Sequence, residues 1–191
     1  MDKLKSMDDL SNKRADQLIQ IAEELFGPTS SDWSYAGIIF QDSPPHLFYD
    51  LEKASVFISL SFRALNDEIQ RDFQLAHEVC HLLYPSVDRI NPKKEATTVF
   101  NEGVSTYFSI LILASEHGED TALGALDNLA LNSPNYFEAY KCVASLLKRD
   151  QNAIKKIRLI QPRLNKITCE DFFAAKIEAD IIEAQKLLSI F

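Results

Sequence analysis

His77-Glu78-Val79-Cys80-His81 sets two imidazoles four residues apart with a carboxylate directly after the first. On a helix, positions i and i+4 lie one turn apart on the same face, so both rings can reach one divalent cation. The intervening Glu78 then stands beside any water held there. The chemistry this spacing proposes is Zn²⁺-assisted hydrolysis, with His77 and His81 as ligands and Glu78 as general base. Two plain core histidines would explain the rings but not the acid between them, which would be left as an unpaired buried charge.

A catalytic zinc takes three protein ligands and keeps one position open. The metzincin spacing would need Gly at position 84 and His at position 87, where the chain has Tyr84 and Val87. The carboxylates that follow are Asp88, Glu95, Glu102 and Glu116. Asn91-Pro92 reads as a helix start and Gly118 as its stop, which puts Glu95 and Glu116 near the ends as solvated charges. Glu102 lies inside, on a stripe with the small residues Ser105, Thr106 and Ser109 that leaves room for a second helix and a metal. Gly103 costs about 1 kcal/mol in a helix relative to Ala, and so marks the close approach of a neighbour at this level. Glu102 is therefore the expected third ligand.

The motif needs a helix, and the chain provides its boundaries. Asn66 is read as the cap, acidic residues fill the first turn, and Pro85 stops the helix after Tyr84. Apolar residues on most sides, among them Leu75, Val79 and Leu82, predict a buried central helix. Cys80 should point off the metal face and pack. Upstream, residues 37–40, 47–49 and 56–62 read as three strands, the last alternating Val56, Ile58, Leu60 and Phe62 with Phe57, Ser59 and Ser61.

Phe100-Asn101-Glu102-Gly103-Val104-Ser105-Thr106-Tyr107 resembles the NEGxxxY segment of gluzincin aminopeptidases, in which the Glu is the third zinc ligand. A longer stretch, Val56 to Leu60 followed by Arg71 to Leu83, resembles the strand and RxxFxxAHExxHxLL core of ImmA/IrrE-type metallopeptidases. In that family a Glu on the next helix is followed by small, aromatic, small and aliphatic residues, here Ser105, Phe108, Ser109, Ile112 and Leu113. Both resemblances point to Glu102. They imply an α+β fold with a zincin-like core, in which a small antiparallel or mixed sheet covers the HExxH helix and its edge strand pairs with an extended substrate. They also imply a regulatory or repressor protein as substrate, and a partnership with a helix-turn-helix regulator.

With 191 residues and 46% hydrophobic content, the chain is expected to form a single domain, 1–191. Within it, 30–118 would be the metallopeptidase core and 119–191 a helical C-terminal extension. Asp9 to Phe26 reads as an N-terminal helix, and residues 121–131, 136–148, 153–160 and 170–188 as further helices, the last opened by a Thr168-x-x-Asp171 capping box. A net charge of −8 argues against direct nucleic-acid binding. The basic residues Lys148, Arg149, Lys155, Lys156 and Arg158 read as a solvated face. Three scattered cysteines give no disulfide framework, and neither a signal peptide nor a membrane span is expected, so the cytoplasm fits best.

The mechanism would need a second oxyanion donor besides zinc. Tyr107, about 140° around the helix from Glu102, should face away, while His117, Tyr136 and Tyr140 are weaker candidates. The expected function is zinc-dependent endopeptidase. The alternatives are a metal-retaining protein-binding module with little turnover, a gluzincin aminopeptidase-like hydrolase, and a structural helical protein with a coincidental motif. The aminopeptidase is disfavoured because no Gly-x-Met-Glu-Asn-type run is present.

Overall fold

The computed structural model describes residues 2–90 and 95–191, with side chains from Leu10 onward. In chain order the elements are α1 (Asp2–Phe26), β1 (Ser34–Gln41), β2 (His46–Asp50), β3 (Ser55–Ser61), α2 (Glu68–Leu83), α3 (Val99–His117), α4 (Glu119–Asn132), α5 (Pro134–Arg149), α6 (Ala153–Arg158), α7 (Cys169–Ala174) and α8 (Ile181–Leu188). Short 3₁₀ turns occupy Phe62–Leu65 and Leu164–Lys166. The fold is α+β.

The sheet is mixed, in the order β1-β3-β2: β3 runs parallel to β1 and antiparallel to β2. Val56, Ile58 and Leu60 of β3 are fully buried, as the alternation requires, but Ser59 is buried too because β3 is the central strand. Phe62 leaves the strand for the 3₁₀ turn and is 51% exposed, which corrects its place in the expected alternation. Strand β2 lies at the sheet edge, next to the motif helix.

Asp67, not Asn66, caps α2: its side chain accepts the Gln70 N–H, while Asn66 closes the preceding 3₁₀ turn. Leu75, Ala76, Val79, Cys80, Leu82 and Leu83 are buried, so α2 is the central helix its composition predicts. The expected start of the next helix, Asn91-Pro92, lies outside the described residues, and the helix itself begins at Val99. Thr98 caps it by accepting the Asn101 N–H, and residues 95–97 are irregular. Glu102 consequently sits in the first turn of α3 and Glu95 before the helix. Ser105, Thr106 and Ser109 are buried, each donating to the carbonyl four residues back, so their hydroxyls are satisfied within the helix. A Cβ at Gly103 would lie 2.5 Å from the Ala139 carbonyl oxygen of α5 and 2.7 Å from Val143 Cγ2. Close approach of α5 is the reason for glycine there.

One buried core runs from Ala15, Leu18, Ala22 and Phe26 of α1 through the sheet, α2 and α3 to Phe172, Ala184 and Leu187. Leu10 and Leu25 of α1 are exposed. The expected helix over 170–188 is two helices. Thr168 and Asp171 do form the capping box, but α7 stops after one and a half turns, where Lys176 takes a left-handed φ of 55° and the Ile177 N–H donates back to the Phe172 carbonyl. Phe172 and Ile177 are buried, whereas Phe173 and Ile181 are exposed.

The basic residues divide. Lys148, Arg149, Lys155 and Lys156 are exposed, as a solvated face requires, but Arg158 is buried. Its guanidinium donates to the carbonyls of Phe26, Gly27, Pro28, Leu83 and Pro162, over the ring of Tyr84. Phe26 ends α1 and Leu83 ends α2, so this one cation meets the last carbonyl of both helices and complements their dipoles, the Leu83 carbonyl accepting the Ser30 N–H as well. Among the described residues no helix is long and apolar enough to cross a membrane.

Candidate metal centre

Helices α2 and α3 bring His77, His81 and Glu102 to one point. His77 Nε2 lies 3.2 Å from His81 Nε2 and 3.2 Å from Glu102 Oε2, and His81 Nε2 lies 3.5 Å from the same oxygen. A tetrahedral zinc with bonds of about 2.0–2.1 Å separates its ligand atoms by roughly 3.3–3.4 Å. The three donors thus already stand near three corners of such a tetrahedron. Two nitrogens and one carboxylate oxygen also match catalytic zinc in donor type, so the residues fit a divalent cation. Among the described residues, this is the one set of three such side chains close enough to share an ion.

The surroundings fix the ligands. His81 Nδ1 is 3.1 Å from Asn101 Oδ1, an arrangement in which Nδ1–H donates and Nε2 turns its lone pair to the shared point. The Thr97 hydroxyl donates to Glu102 Oε1 at 2.8 Å, leaving Oε2 for the imidazoles. Burial works against charge on Glu102, but His81 and His77 outweigh it and hold the carboxyl well below the usual carboxylate range. For His81, burial is likewise outweighed, here by Glu102 and Glu78, and its pKa is pushed up to about 9. A cation at the shared point would take the place of that proton.

Glu78 is 4% exposed on the same helix. Burial pushes its carboxyl above the ordinary range, with Glu102 adding to the effect and the two imidazoles opposing it. A carboxylate shifted upward beside a cation site is a stronger base toward a water held there.

The site opens into a cleft of about 710 Å³ whose walls include His46 to Tyr49 of β2, Val87, Tyr136 and Phe191. A second hollow of about 220 Å³, bounded by Pro44, Phe73, Leu129 and Tyr136, meets the first at Pro45, His77 and Glu78. The two hollows also share Tyr136 in their walls.

The other expected residues are placed elsewhere. Cys80 is fully buried in the core, off the cleft. Asp88 pairs with Arg163, and Glu95 pairs with Lys166 and Asn165 at the cleft margin. Glu116 pairs with Arg14. His117 is 2.9 Å from Asp72, which also takes Arg14, in a network remote from the triad. Tyr107 faces away and stacks on Tyr140 at 6.1 Å. Tyr136 alone of these reaches the site, its ring 5.9 Å from His77 and 4.6 Å from Phe191. Burial, with Glu102 and Glu78 nearby, pushes its phenol up to about 12, so it remains a donor at neutral pH.

Asn101, quoted above only as part of the resemblance, and Thr97 carry no role in the sequence alone, though both stand close to Glu102 in the chain. Phe191 carries no local signal at all. No family model matches the chain, and neither does any curated protein or solved structure.

Proposed function

We propose that this chain is a zinc-dependent endopeptidase with a zincin-like core of the ImmA/IrrE type. The observation that carries the reading is the spacing of the three donors, 3.2, 3.2 and 3.5 Å apart, with Glu78 beside them at the floor of an open groove. His77, His81 and Glu102 would hold the ion. When bound, it supplies Lewis acidity, acidifying a water and polarising a peptide carbonyl. Glu78 takes the proton from the attacking water and delivers it to the leaving amine. Tyr136 donates from its phenol to the oxygen that becomes negative.

The free edge of β2 lies along the groove and offers backbone groups to an extended peptide. Internal cleavage is favoured over removal of end residues because the cleft is open and a sheet edge lies along it, which offers room for a length of extended chain. The natural substrate would be a regulatory protein, and three unpaired cysteines suit a reducing cytoplasm.

Zinc-loaded protein incubated with a library of unstructured peptides, with products identified by mass spectrometry, should cut internal bonds. Phenanthroline should stop the reaction and added zinc restore it. Full metal occupancy with every peptide intact would instead support the binding module.

A further inference from the structure

Ser189–Phe191 runs antiparallel to the residues that lead into α3. The Val99 N–H donates to the Ser189 carbonyl at 3.0 Å and the Phe191 N–H to the Thr97 carbonyl at 3.1 Å, with Thr98 and Ile190 bridged between them. Helix α8 anchors this segment on the core through Ala184 and Leu187, both buried. Ile190 is 77% exposed, so the attachment depends on backbone pairing and on the ring of Phe191 against Tyr136.

Thr97 is thus held from two sides. Its carbonyl takes the Phe191 N–H, and its hydroxyl donates to Glu102 Oε1. Residues 95–97 belong to no helix or strand, so the pairing with Ser189–Phe191 supplies order that Thr97 lacks locally. The cleft keeps about 710 Å³ with Phe191 on its wall, which makes the segment a brace and not a plug.

We propose that Ser189–Phe191 is a positioning element of the metal centre: by fixing Thr97 it aims the Glu102 carboxylate at His77 and His81 without touching the ion. The proposal rests on the metal-binding reading above. Partners behind a metal ligand typically govern affinity by about 10–100-fold.

The test is zinc affinity by competition against a chromophoric chelator, supported by the visible spectrum of the Co²⁺-loaded protein, neither of which requires turnover. Deleting Ser189–Phe191 should weaken zinc binding by about 10–100-fold and alter the cobalt spectrum. Thr97→Val should do the same and Thr97→Ser should recover most of the loss. The deletion combined with Thr97→Val should cost no more than either alone, since both act through one contact. Phe191→Ala keeps the backbone pairing and should change affinity by less than about threefold. If the deletion unfolds the chain, Phe191→Pro, which removes the N–H given to Thr97 along with the ring, should show the same loss when set against Phe191→Ala, which removes the ring alone.

Unchanged affinity in the deletion or Phe191→Pro, or losses that multiply in the combined variant, would overturn the brace while leaving the metal reading intact. A wild-type chain that binds no zinc would overturn the metal reading first, and the brace with it.

Discussion

Glu78→Gln is expected to retain one zinc per chain and to lower peptide hydrolysis by about 10²–10⁴-fold, the usual contribution of a positioned general acid–base. Glu78 lies between the two histidines in sequence but is not one of the three converging donors, so removing its charge leaves His77, His81 and Glu102 in place. Gln has the same shape and can still hydrogen bond, which keeps its site at the cleft floor filled. What it lacks is a lone pair basic enough to accept the proton of water. Burial pushes Glu78 upward and so strengthens it as a base, and the amide has no counterpart to that shift. Metal analysis together with initial rates on any peptide the wild type cuts would check both halves. Hydrolysis that survives the substitution would transfer the base role to another group.

Arg158→Ala should destabilise the fold by about 3–5 kcal/mol, a cost typical of stripping the charged partner from a buried polar cluster. Five carbonyls, those of Phe26, Gly27, Pro28, Leu83 and Pro162, accept from this guanidinium. Phe26 ends its helix, so its carbonyl loses a partner that nothing else in the helix can replace, while the Leu83 carbonyl keeps only the Ser30 N–H. Arg158→Lys keeps the charge but has three donors on one nitrogen, too few and too clustered to reach all five acceptors, and should recover only part of the loss. Denaturant unfolding of the metal-free chain would measure both variants. A loss below about 1 kcal/mol for the alanine variant would show that water can serve these carbonyls.

Much of the site could be read from local pattern. The HExxH spacing places two rings on one face, and Gly103 marks where α5 presses on α3. Glu102 could be chosen over Asp88, Glu95 and Glu116 because it alone has small neighbours at helical spacing. The strand segments were visible as apolar runs, but pairing is non-local: nothing in residues 34–61 says that β3 enters between β1 and β2 and runs parallel to β1.

Arg158 shows the limit of a charge pattern. Its neighbours Lys155 and Lys156 are exposed, and only the folded positions of Phe26 and Leu83, far off in sequence, turn it inward. The break between α7 and α8 has no sequence signal because Lys176 in a left-handed conformation stands where a glycine would have announced it. Tyr136 and Phe191 reach the cleft from α5 and from beyond α8, a meeting set by helix packing that periodicity does not encode.

The central claim is that His77, His81 and Glu102 hold one divalent cation. Elemental analysis of the chain purified without chelators, loaded with zinc and desalted, tests it most directly. The geometry predicts one zinc per wild-type chain and well under one for Glu102→Ala at the same protein concentration. Wild type that emerges free of zinc, or a Glu102→Ala variant that keeps a full equivalent, would contradict it.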